Sequence, residues 1–580
     1  MKASDFIIQK IIEAGCSKIY GYIGGMVTHI ADSIYLNKEV DMINSIHEQG
    51  AGFMAEGYSR LTSNLGVAIA TSGPGATNLL TPIASCYFDS IPVLFITGQV
   101  NTYEYKKFSN IRQCGFQETN IVEMAASVTK YSVIVNSIDE LRYELEKCIY
   151  IAQSGRKGPV LIDIPMDIQR ADADFSIMKS FIKEDKKSQF DLHKKVKELN
   201  ELINSSKRPV VLIGGGVRLS GSTNELKKYC KKTNIPIVYS LMGMDAISSE
   251  YEYNLGLIGA YGNRYANYTL ANADLILVLG SRLDLRQIGA NSNTFAREAK
   301  VIQVDIDENE LNCDNLKKIT IKSDVKAILQ ALNDSECNLN ILDWQKKVLE
   351  WKLKYPSVKD INGNLLIPNM IISEVFNNMK KTDVVAVDVG QNQMWVAQSA
   401  NIKEGQRIFF SGGLGSMGFA LPCAIGSSSA TEQRSIVISG DGGFQMNIQE
   451  LEIIKRRNLP VKIIVLNNNS LGMVRQFQEI YFEGRLQSTV VDYSAPDFSK
   501  IAKAYEIKAN SICSTELTSE IIKDFLNTDE PELLNIHLDQ NSDLQPKLLF
   551  GSPIEDMYPF LDRKEFLDNM IVKPLEQVDG

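Results

Sequence analysis

The feature that most constrains the fold of this chain is a regular alternation of two kinds of segment. Short runs of β-branched and aliphatic residues end in glycine or polar residues, and each is followed by a longer segment of helical periodicity. This alternation is typical of parallel sheets that carry helices on both faces. With 580 residues, the chain also exceeds the size at which one hydrophobic core stops growing. The sequence therefore predicts an α/β protein with several domains.

The strand-like runs fall into three blocks, which charged helical segments near residues 188–209 and 342–364 separate. The predicted strands are those in SKIYGYIGG, GVAIATSGPGATN, PVLFITGQV and GPVLIDIP, then PVVLIGGGV, PIVYS, DLILVLGSR and KVIQVDID, then DVVAVDVG, SIVISGDGG, VKIIVLNNN and LLNIHLD. We expect consecutive parallel-sheet domains at 1–175, 190–340 and 360–545, and a less regular tail at 546–580 that packs over another domain. The first and third blocks are candidates for distant structural duplicates.

Composition excludes several classes of protein. The 61 Lys and Arg residues are outnumbered by 70 Asp and Glu, and no dense basic run offers a footprint for nucleic acid. The apolar runs are shorter than the roughly 18 residues that span a bilayer, and the N-terminal stretch reads as an amphipathic helix and a strand rather than a signal peptide. We therefore expect a soluble cytoplasmic protein without a membrane partner. Nine cysteines without a CxxC pair predict reduced core thiols, and four histidines leave little for His-based metal sites.

The most informative motif is Gly-Asp-Gly-Gly at 440–443, at the end of an apolar strand and about two dozen residues before three asparagines that end another strand. The carboxyl ends of neighbouring parallel strands meet at one edge of a sheet, where ligands bind. There Asp441 and Asn468 supply oxygen ligands of the kind that Mg²⁺ prefers. The glycines let backbone N–H groups approach a diphosphate, beside a helix predicted to begin near Gln445. The alternative is a tight turn and a polar strand end.

This GDGG…NNN pattern resembles the thiamine diphosphate motif of the superfamily of decarboxylases and acetolactate synthases. Further segments resemble the acetolactate synthase large subunit in the same order along the chain: HEQGA, AEGYSR, ATSGPGATN, TGQV, GFQET, GPVLIDIP, GQNQMW, GGLGSMGFALP and GMVRQFQE. The resemblance extends over about residues 1–545. It implies a pyrimidine-binding first domain, a central Rossmann-like domain of the FAD-binding type, and a third domain that binds the diphosphate and Mg²⁺.

The resemblance also implies roles for individual residues. Glu48 is implied to hydrogen-bond the cofactor pyrimidine and favour its imino tautomer, and Met417 is implied to be the apolar wedge that bends the cofactor. Gln117 and Gly25 match positions near the reacting carbon, where N–H groups stabilise developing negative charge. The implied Mg²⁺ ligands are Asp441, Asn468 and the backbone carbonyl of Ser470, and the other implied lining residues are Gln391, Asn392, Gly415, Gly442, Gly443, Leu471, Gly472, Met473 and Val474.

In the second block, a strand that runs into three glycines suits a dinucleotide phosphate, although such a turn often serves close packing instead. Together with SLMGMD, GLIGAYGNRYANYTLANADLILVLGSRLDLR and VIQVDID, it resembles the FAD pattern of the family, in which the flavin is structural for carboligation. Arg286 has a second implied role, holding the carboxylate of the acceptor. The residues implied to contact FAD are Arg156, Gly214, Gly215, Gly216, Ser240, Leu241, Met242, Gly259, Arg286, Asp305 and Ile306.

Three positions depart from the family pattern: Phe477 stands where an acceptor-pocket Trp is usual, Met166 replaces a Lys, and Asn392 replaces a His. The loop before GFQET is also several residues longer than in the biosynthetic enzymes, and it carries Tyr103, Tyr105, Lys106, Lys107 and Arg112. With the SPIEDM tail, this loop resembles relatives that transfer an acetyl unit to a keto-sugar nucleotide. A neutral insertion is the alternative.

The resemblance implies an enzyme that decarboxylates pyruvate and transfers the hydroxyethyl unit to a carbonyl acceptor, with thiamine diphosphate, Mg²⁺ and FAD. The leading acceptor is a second 2-oxo acid, as in the acetolactate synthases of branched-chain amino acid biosynthesis, and the alternative is a keto-sugar nucleotide or another ketone or aldehyde. A flavin-dependent pyruvate oxidase would share these cofactors. A homodimer or homotetramer is implied, with Glu48 of one subunit facing Asp441 of another, and a small regulatory subunit is compatible with the family.

Overall fold

The computed structural model of the chain describes residues 1–105, 110–183, 192–313, 316–358 and 365–575. Its named strands form three sheets of six strands each, and every pairing within these sheets is parallel. Helices flank all three sheets. The predicted fold class, α/β with three consecutive parallel sheets, is therefore confirmed. The boundaries of the domains stay predictions.

The first sheet contains β1 (Lys18–Tyr22), β2 (Asp41–Asn44), β3 (Gly66–Ala70), β4 (Val93–Gln99), β5 (Tyr131–Ile134) and β6 (Val160–Pro165). Its helices are α1 (Ala3–Glu13), α2 (Thr28–Leu36), α3 (Glu48–Thr62), α4 (Pro74–Asn78), α5 (Leu80–Asp89), α6 (Ile121–Ala125), α7 (Ile138–Gln153) and α8 (Met166–Arg170). The strand order is β2-β1-β3-β4-β6-β5. Every residue of β3, β4 and β6 is buried, as expected for inner strands that are covered on both faces.

The central sheet contains β7 (Pro209–Ile213), β8 (Ile237–Tyr239), β9 (Asn254–Leu257), β10 (Leu275–Leu279), β11 (Lys300–Asp305) and β12 (Lys318–Lys322). Its helices are α9 (Leu192–Ser205), α10 (Gly215–Leu219), α11 (Thr223–Thr233), α12 (Arg264–Ala271), α13 (Leu285–Ile288), α14 (Glu308–Leu311), α15 (Val325–Asp334) and α16 (Leu342–Lys354). The strand order is β12-β11-β10-β7-β8-β9. When the order is read in the reverse direction, from β9 to β12, and β7 is counted as strand 1, it becomes 3-2-1-4-5-6. This is the strand order of dinucleotide-binding Rossmann folds.

The third sheet contains β13 (Val384–Val387), β14 (Arg407–Phe410), β15 (Ser435–Gly440), β16 (Val461–Asn467), β17 (Lys508–Cys513) and β18 (Glu532–His537). Its helices are α17 (Pro368–Asn378), α18 (Gln391–Ser399), α19 (Ala420–Thr431), α20 (Asp441–Met446), α21 (Leu451–Arg457), α22 (Gly472–Tyr481), α23 (Phe498–Ala504) and α24 (Ser519–Leu526), and α25 (Arg563–Asp568) lies in the tail. The order β14-β13-β15-β16-β18-β17 repeats that of the first sheet, strand for strand. The two units thus share one topology.

The first and third units pack on each other through α3 and α19. A Cβ atom built on Gly57 would lie 2.2 Å from the carbonyl oxygen of Cys423, and one built on Gly426 would lie 2.0 Å from that of Met54. Because neither position has room for a side chain, glycine at both lets the two helix backbones touch. Buried apolar residues of the first unit form one continuous core with part of the third unit, whereas the rest of the third unit's core is shared with the central unit.

The tail lies against the central unit, as predicted. The N–H of Leu548 donates to the carbonyl of Ala260 at 2.7 Å. The guanidinium of Arg264 donates to the carbonyls of Met557 and Pro559 at 3.1 and 2.7 Å. These backbone contacts hold an irregular segment in place without a strand or a long helix.

Two predictions need correction. The helix expected near Gln445 begins at Asp441, because Gly440 is extended and turns the chain directly from β15 into α20. Cys114, Cys313 and Cys513 are exposed rather than core thiols. Within the described part of the chain, none of the helices has the length and apolar character needed to cross a bilayer.

Candidate active site

The first group of predicted residues surrounds the loop that joins β3 to α4. Glu48 is the buried first residue of α3, and its Oε2 accepts a 2.9 Å hydrogen bond from Nδ2 of Asn78. A Cβ atom built on Gly75 would lie 3.0 Å from Oε1 of Glu48. Two residues of α4, Gly75 and Asn78, therefore border the carboxylate.

Gln117 and Gly25 approach the same loop. The Cβ of Gln117 would lie 3.0 Å from a Cβ built on Gly73, and Gln117 itself has a positive φ of 66°. Gly25 opens a 3₁₀ turn, and a Cβ there would meet no atom within 4 Å. The next residue, Met26, donates its N–H to Oγ1 of Thr71 at 3.3 Å. The three residues predicted near the reaction centre on the first unit are thus brought to one edge of its sheet.

A buried carboxylate from the third unit holds the segment just before Glu48. The N–H groups of Ile46 and His47 donate to Oε2 and Oε1 of Glu450, both at 3.1 Å. Burial raises the pKa of Glu450 to about 7. A Cβ on Gly50 would lie 2.5 Å from Oε1 of Glu450, so this contact also requires a glycine in HEQGA.

The predicted Mg²⁺ residues meet at the carboxyl edge of the third sheet. β15 and β16 pair with Gly440 opposite Leu466, which places Asp441 beside the Asn467–Asn468 strand end. All three proposed ligands, Asp441, Asn468 and Ser470, are buried. Burial raises the pKa of Asp441 to about 6. A carboxylate in such surroundings is costly to ionise without a compensating cation.

The donor set suits Mg²⁺. It offers one carboxylate, one amide and one backbone carbonyl, and the buried Oγ of Ser470 finds no hydrogen-bond partner among the described residues. The carbonyl of Ser470 accepts the N–H of Gly472 at 2.9 Å, which leaves a second lone pair on that oxygen. The structure shows no group of three or more His, Cys, Asp or Glu side chains arranged around a metal position within its described ranges.

The residues predicted to line the diphosphate and pyrimidine cluster around this edge. Oε1 of Gln391 accepts from Nδ2 of Asn468 at 3.2 Å. A Cβ on Gly472 would lie 2.0 Å from Oε1 of Gln391. Nδ2 of Asn392 donates to the carbonyl of Asp388 at 2.6 Å. Met473 is half-buried, whereas Val474 is exposed at the start of α22.

Met417 lies over the GDGG turn. A Cβ on Gly442 would lie 3.2 Å from Cε of Met417 and 2.7 Å from Cδ2 of Leu471. Gly415, with a φ of 72°, has open space where a Cβ would stand. A Cβ on Gly443 would lie 2.4 Å from Oδ1 of Asp388. The structure therefore brings the predicted wedge, the predicted diphosphate glycines and the metal residues into one cradle.

The second predicted cofactor site is a cavity of about 480 Å³ between the central unit and the first, a size suited to a small-molecule ligand. Nine of the residues implied to contact FAD line it: Arg156, Gly215, Gly216, Ser240, Leu241, Met242, Arg286, Asp305 and Ile306. Gly214 and Gly259 pack closely against neighbouring backbone, and their predicted contacts with FAD stay predictions. A Cβ on either would lie within 2.2 Å of a backbone oxygen, and Gly259 has a φ of 93°.

Arg156 bridges the two units at this cavity. Its Nη1 donates to Oδ2 of Asp307 at 3.0 Å and to Oε1 of Glu310 at 2.5 Å, and its Nε donates to Oγ of Ser90. The strand-end carboxylate of Asp305 has a raised pKa because it is buried. The cavity thus combines a glycine turn, an arginine and a strand-end acid, a set that fits a dinucleotide.

The predicted acceptor residues lie in different surroundings. Arg286 is exposed on α13 and lines the cavity. The ring of Phe477 on α22 packs at an angle against Tyr481 and edge-to-face against Phe550 of the tail, with ring centroids 4.8 and 5.7 Å apart. Tyr105 of the longer loop is partly buried, and burial raises the pKa of its phenol. Lys106 and Lys107 lie outside the described residues.

Several site residues escaped the sequence analysis. Asn78 lies within the quoted ATSGPGATN segment, and Asp388 ends the apolar strand DVVAVDVG, which is the same signal that identified Asp441. Burial raises the pKa of Asp388 to about 6. Tyr493 and Glu450 have no comparable signal, because each contacts its partner across at least 52 residues of chain.

Comparison with known proteins matches all three units to one group of enzymes. Residues 1–124 match the family described as thiamine pyrophosphate enzyme, N-terminal TPP binding domain. Residues 196–332 match the central domain of thiamine pyrophosphate enzymes. Residues 388–536 match their C-terminal TPP binding domain.

Three relatives span nearly the whole chain. The acetolactate synthase isozyme 2 large subunit of Escherichia coli (strain K12) is 35% identical over 558 residues, covering 96% of this chain and 99% of that protein. The acetolactate synthase large subunit of Lactococcus lactis is 34% identical over 574 residues, covering 98% of each. The chloroplastic acetolactate synthase 1 of Zea mays is 34% identical over 575 residues, covering 96% and 88%. The chain therefore belongs to the acetolactate synthase family of thiamine pyrophosphate-dependent enzymes.

Proposed function

We propose that the enzyme decarboxylates one molecule of pyruvate and joins the remaining two-carbon unit to the keto carbon of a second 2-oxo acid. With two pyruvates, the products are 2-acetolactate and carbon dioxide. The observation that carries this proposal is the cradle in which Met417 lies over Gly442 beside Asp441 and Asn468. Acetolactate synthases of three organisms, similar over almost their full lengths, support the choice of substrates.

The chain's own residues have separate tasks in this proposal. Mg²⁺ is held by Asp441, Asn468 and the carbonyl of Ser470. The diphosphate is admitted by Gly442, Gly443 and Gly472. The rest of the cofactor is lined by Gln391, Asn392, Gly415, Leu471, Met473 and Val474. When bound, thiamine diphosphate supplies an acidic carbon that becomes the nucleophile. Glu48 would hold a proton at the pyrimidine nitrogen, and Met417 would supply the apolar support beneath the cofactor. Gln117 and the backbone N–H of Gly25 stabilise negative charge that develops on the substrate oxygen.

FAD is typical of this family, and we propose the 480 Å³ cavity as its site. In this proposal, Arg156 and the turn at Gly215 and Gly216 contact the phosphates, and Asp305 accepts a hydrogen bond from a hydroxyl group of the cofactor. The condensation involves no net oxidation. The flavin therefore serves as a structural ligand in this proposal.

We further propose that the active unit contains at least two copies of the chain. The family resemblance, which implies that Glu48 of one subunit faces Asp441 of another, supports this proposal. A two-fold arrangement would bring Glu48 of one copy to the cradle of the other and create two equal sites. Because two of the relatives are named large subunits, a small regulatory subunit is a proposed partner.

A keto-sugar or another carbonyl compound is the second candidate acceptor. Phe477 stands in place of a Trp and packs against Phe550 of the tail, and the loop with Tyr103, Tyr105 and Arg112 is longer than in the biosynthetic enzymes. Both features alter the side of the site where an acceptor would enter.

Product analysis tests the proposal. The purified enzyme, supplied with thiamine diphosphate, Mg²⁺ and FAD, should convert pyruvate alone into one 2-acetolactate for every two pyruvates consumed. Turnover that requires an added keto-sugar would favour the second candidate. Stoichiometric bleaching of the flavin by pyruvate without oxygen, with loss of carbon dioxide and no carbon–carbon bond formed, would identify a pyruvate oxidase instead.

A further inference from the structure

The loop that carries Met417 is held at both ends by buried carboxylates. After Met417, the N–H groups of Gly418 and Ala420 donate to Oδ1 and Oδ2 of Asp388 at 3.0 and 2.9 Å. Before it, the N–H groups of Gly412 and Gly413 donate to Oδ2 and Oδ1 of Asp89 at 3.1 and 2.7 Å. Each carboxylate therefore accepts hydrogen bonds from two backbone N–H groups on one side of Met417.

The two carboxylates come from different units. Asp388 follows β13 of the third unit, to which the loop itself belongs, whereas Asp89 is the last residue of α5 in the first unit. Met417 is thus positioned partly from another unit of the same chain. This contact links the geometry of the cradle to the packing of α5.

Asp89 is itself tightly constrained. Its Oδ2 accepts from Nη2 of Arg60 at 2.6 Å, and Arg60 also donates from Nε and Nη2 to Oε1 of Glu56 at 3.0 and 2.6 Å. All three side chains are buried. Such a triad is weak evidence for stability, since apolar residues of equal volume often serve as well. The triad instead holds the Asp89 carboxylate in place, so that its charge-assisted hydrogen bonds point at the N–H groups of Gly412 and Gly413.

The backbone of Gly412 and Gly413 packs so closely against the first and central units that neither position has room for a side chain. A Cβ on Gly412 would lie 2.4 Å from Sδ of Met242, and one on Gly413 would lie 2.6 Å from Cβ of Phe88. The N–H of Ser416 donates to Oγ of Ser411 at 3.1 Å, which closes the loop on itself. A shift at Gly412 or Gly413 therefore reaches Met417 within a few residues.

We infer that Asp89 is a positioning residue for thiamine diphosphate, which acts by holding the Gly412–Gly413 backbone so that Met417 stays over Gly442. This inference goes beyond the proposed reaction and rests on the proposed role of Met417. It does not depend on which acceptor the enzyme uses. Its first readout is therefore cofactor binding, not product formation.

The test compares Asp89→Asn with Asp383→Asn. The amide nitrogen in Asp89→Asn cannot accept an N–H hydrogen bond, so one loop contact is lost. Asp383 forms an equally buried ion pair with Arg434 at 2.6 Å, at the amino end of β13 and away from the loop. Thiamine diphosphate is titrated with Mg²⁺ into each apoprotein and followed by tryptophan fluorescence. Thermal midpoints, kcat and KM for pyruvate are then measured.

We expect both variants to have lower thermal midpoints, while Asp89→Asn alone binds thiamine diphosphate more weakly. Its kcat should fall about 10- to 100-fold, the effect of a misplacement near 1 Å, with a KM for pyruvate within about threefold of wild type. Unchanged cofactor affinity in folded Asp89→Asn, or an equal loss in Asp383→Asn, would overturn the inference. If the proposed reaction were wrong, the affinity difference between the two variants would still appear.

A second variant covers the case in which Asp89→Asn does not fold. Gly413→Ala keeps the Asp89 carboxylate but introduces a methyl group against Phe88 and Asp89, which pushes the loop away. The same loss of thiamine diphosphate affinity is expected. Wild-type affinity in this variant would show that the Asp89 contact does not position the cofactor.

Discussion

The hydroxyl of Tyr493 donates a 3.0 Å hydrogen bond to Oδ2 of Asp441, the carboxylate proposed to bind Mg²⁺. Tyr493 is partly buried in the segment between α22 and α23, 52 residues from Asp441. The bond fixes the rotation of the carboxylate and leaves Oδ1 directed to other partners. Partners of this kind tune metal sites almost as strongly as the ligands themselves.

Tyr493→Phe should therefore weaken Mg²⁺ binding. We expect a loss of roughly 10- to 100-fold in Mg²⁺ affinity, the usual cost of removing a hydrogen bond to a metal ligand. Activity measured against Mg²⁺ concentration after chelation gives the affinity, and saturating Mg²⁺ should restore most of the turnover. Tyr505→Phe, directly after α23 and outside the cradle, is the control and should keep the wild-type Mg²⁺ dependence. Equal curves for both variants would remove Tyr493 from the site.

The strands show how far the sequence could predict the fold. All twelve predicted strands are found, and they are the four inner strands of each sheet, such as β3 and β4, which read as continuous apolar runs. The edge strands were missed. β12, for example, has the sequence KITIK with four positions not buried, and β5 is partly exposed throughout. Partly exposed strands such as these lack the apolar run that marks an inner strand, whereas β9 and β14 are largely buried but only four residues long.

The residues of the candidate site could also be predicted only in part. Asp441 and Asn468 were predictable because both end apolar strands, and parallel strands place their ends at one edge. Asp89 and Glu450 were not, because their partners lie 323 and more residues away along the chain. In the sequence, both look like ordinary helix acids. The identical strand order of the first and third sheets was likewise visible only as a suspected duplication.

Glu48→Gln should leave the fold and cofactor binding intact but nearly abolish turnover. The amide cannot hold the proton that Glu48 is proposed to exchange with the pyrimidine, and loss of such a proton transfer costs ~10²- to 10⁴-fold in rate. The measurement is kcat for pyruvate, together with thiamine diphosphate affinity by titration. Glu13→Gln on the surface of α1 is the control and should retain full activity. Near wild-type pyruvate consumption by Glu48→Gln would contradict the assignment.

Glu450 should make stability depend on pH. Burial raises its pKa to about 7 from an ordinary value of 4.5, so the native state keeps this proton over a range in which the unfolded chain has lost it. The contribution of Glu450 to stability is therefore greatest below about pH 4.5 and is lost as the pH rises to about 7, by at most ~1.4 kcal/mol per pH unit. After it loses this proton, the Glu450 carboxylate still accepts hydrogen bonds from the N–H groups of Ile46 and His47.

Glu450→Gln should remove this part of the pH dependence. Between pH 5 and pH 8, the thermal midpoint of the variant is expected to fall less, or rise more, than that of the wild type. Glu506→Gln, which affects an exposed ion pair with Lys455, should follow the wild-type profile. If the midpoints of Glu450→Gln and wild type change in parallel over this range, the carboxylate does not titrate there.

Mixed subunits test whether each site needs two chains. Glu48→Gln and Asp441→Ala should each be inactive alone, the first through loss of proton transfer and the second through loss of Mg²⁺-bridged cofactor binding. If Glu48 of one chain serves the cradle of the other, a heterodimer has both lesions in one site and neither in the second. Random exchange makes half of the dimers heterodimers, each with one intact site, so activity should recover to about a quarter of wild type.

Dissociation and reassociation of the two purified variants provide the measurement, with differently tagged chains to quantify exchange. The control is each variant taken through the same cycle alone, which should stay inactive. A mixture that exchanges subunits but regains no activity would indicate that Glu48 and Asp441 act within one chain. In that case the cradle would be closed by the α3 of its own chain, and the two-fold arrangement would have no role in building the site.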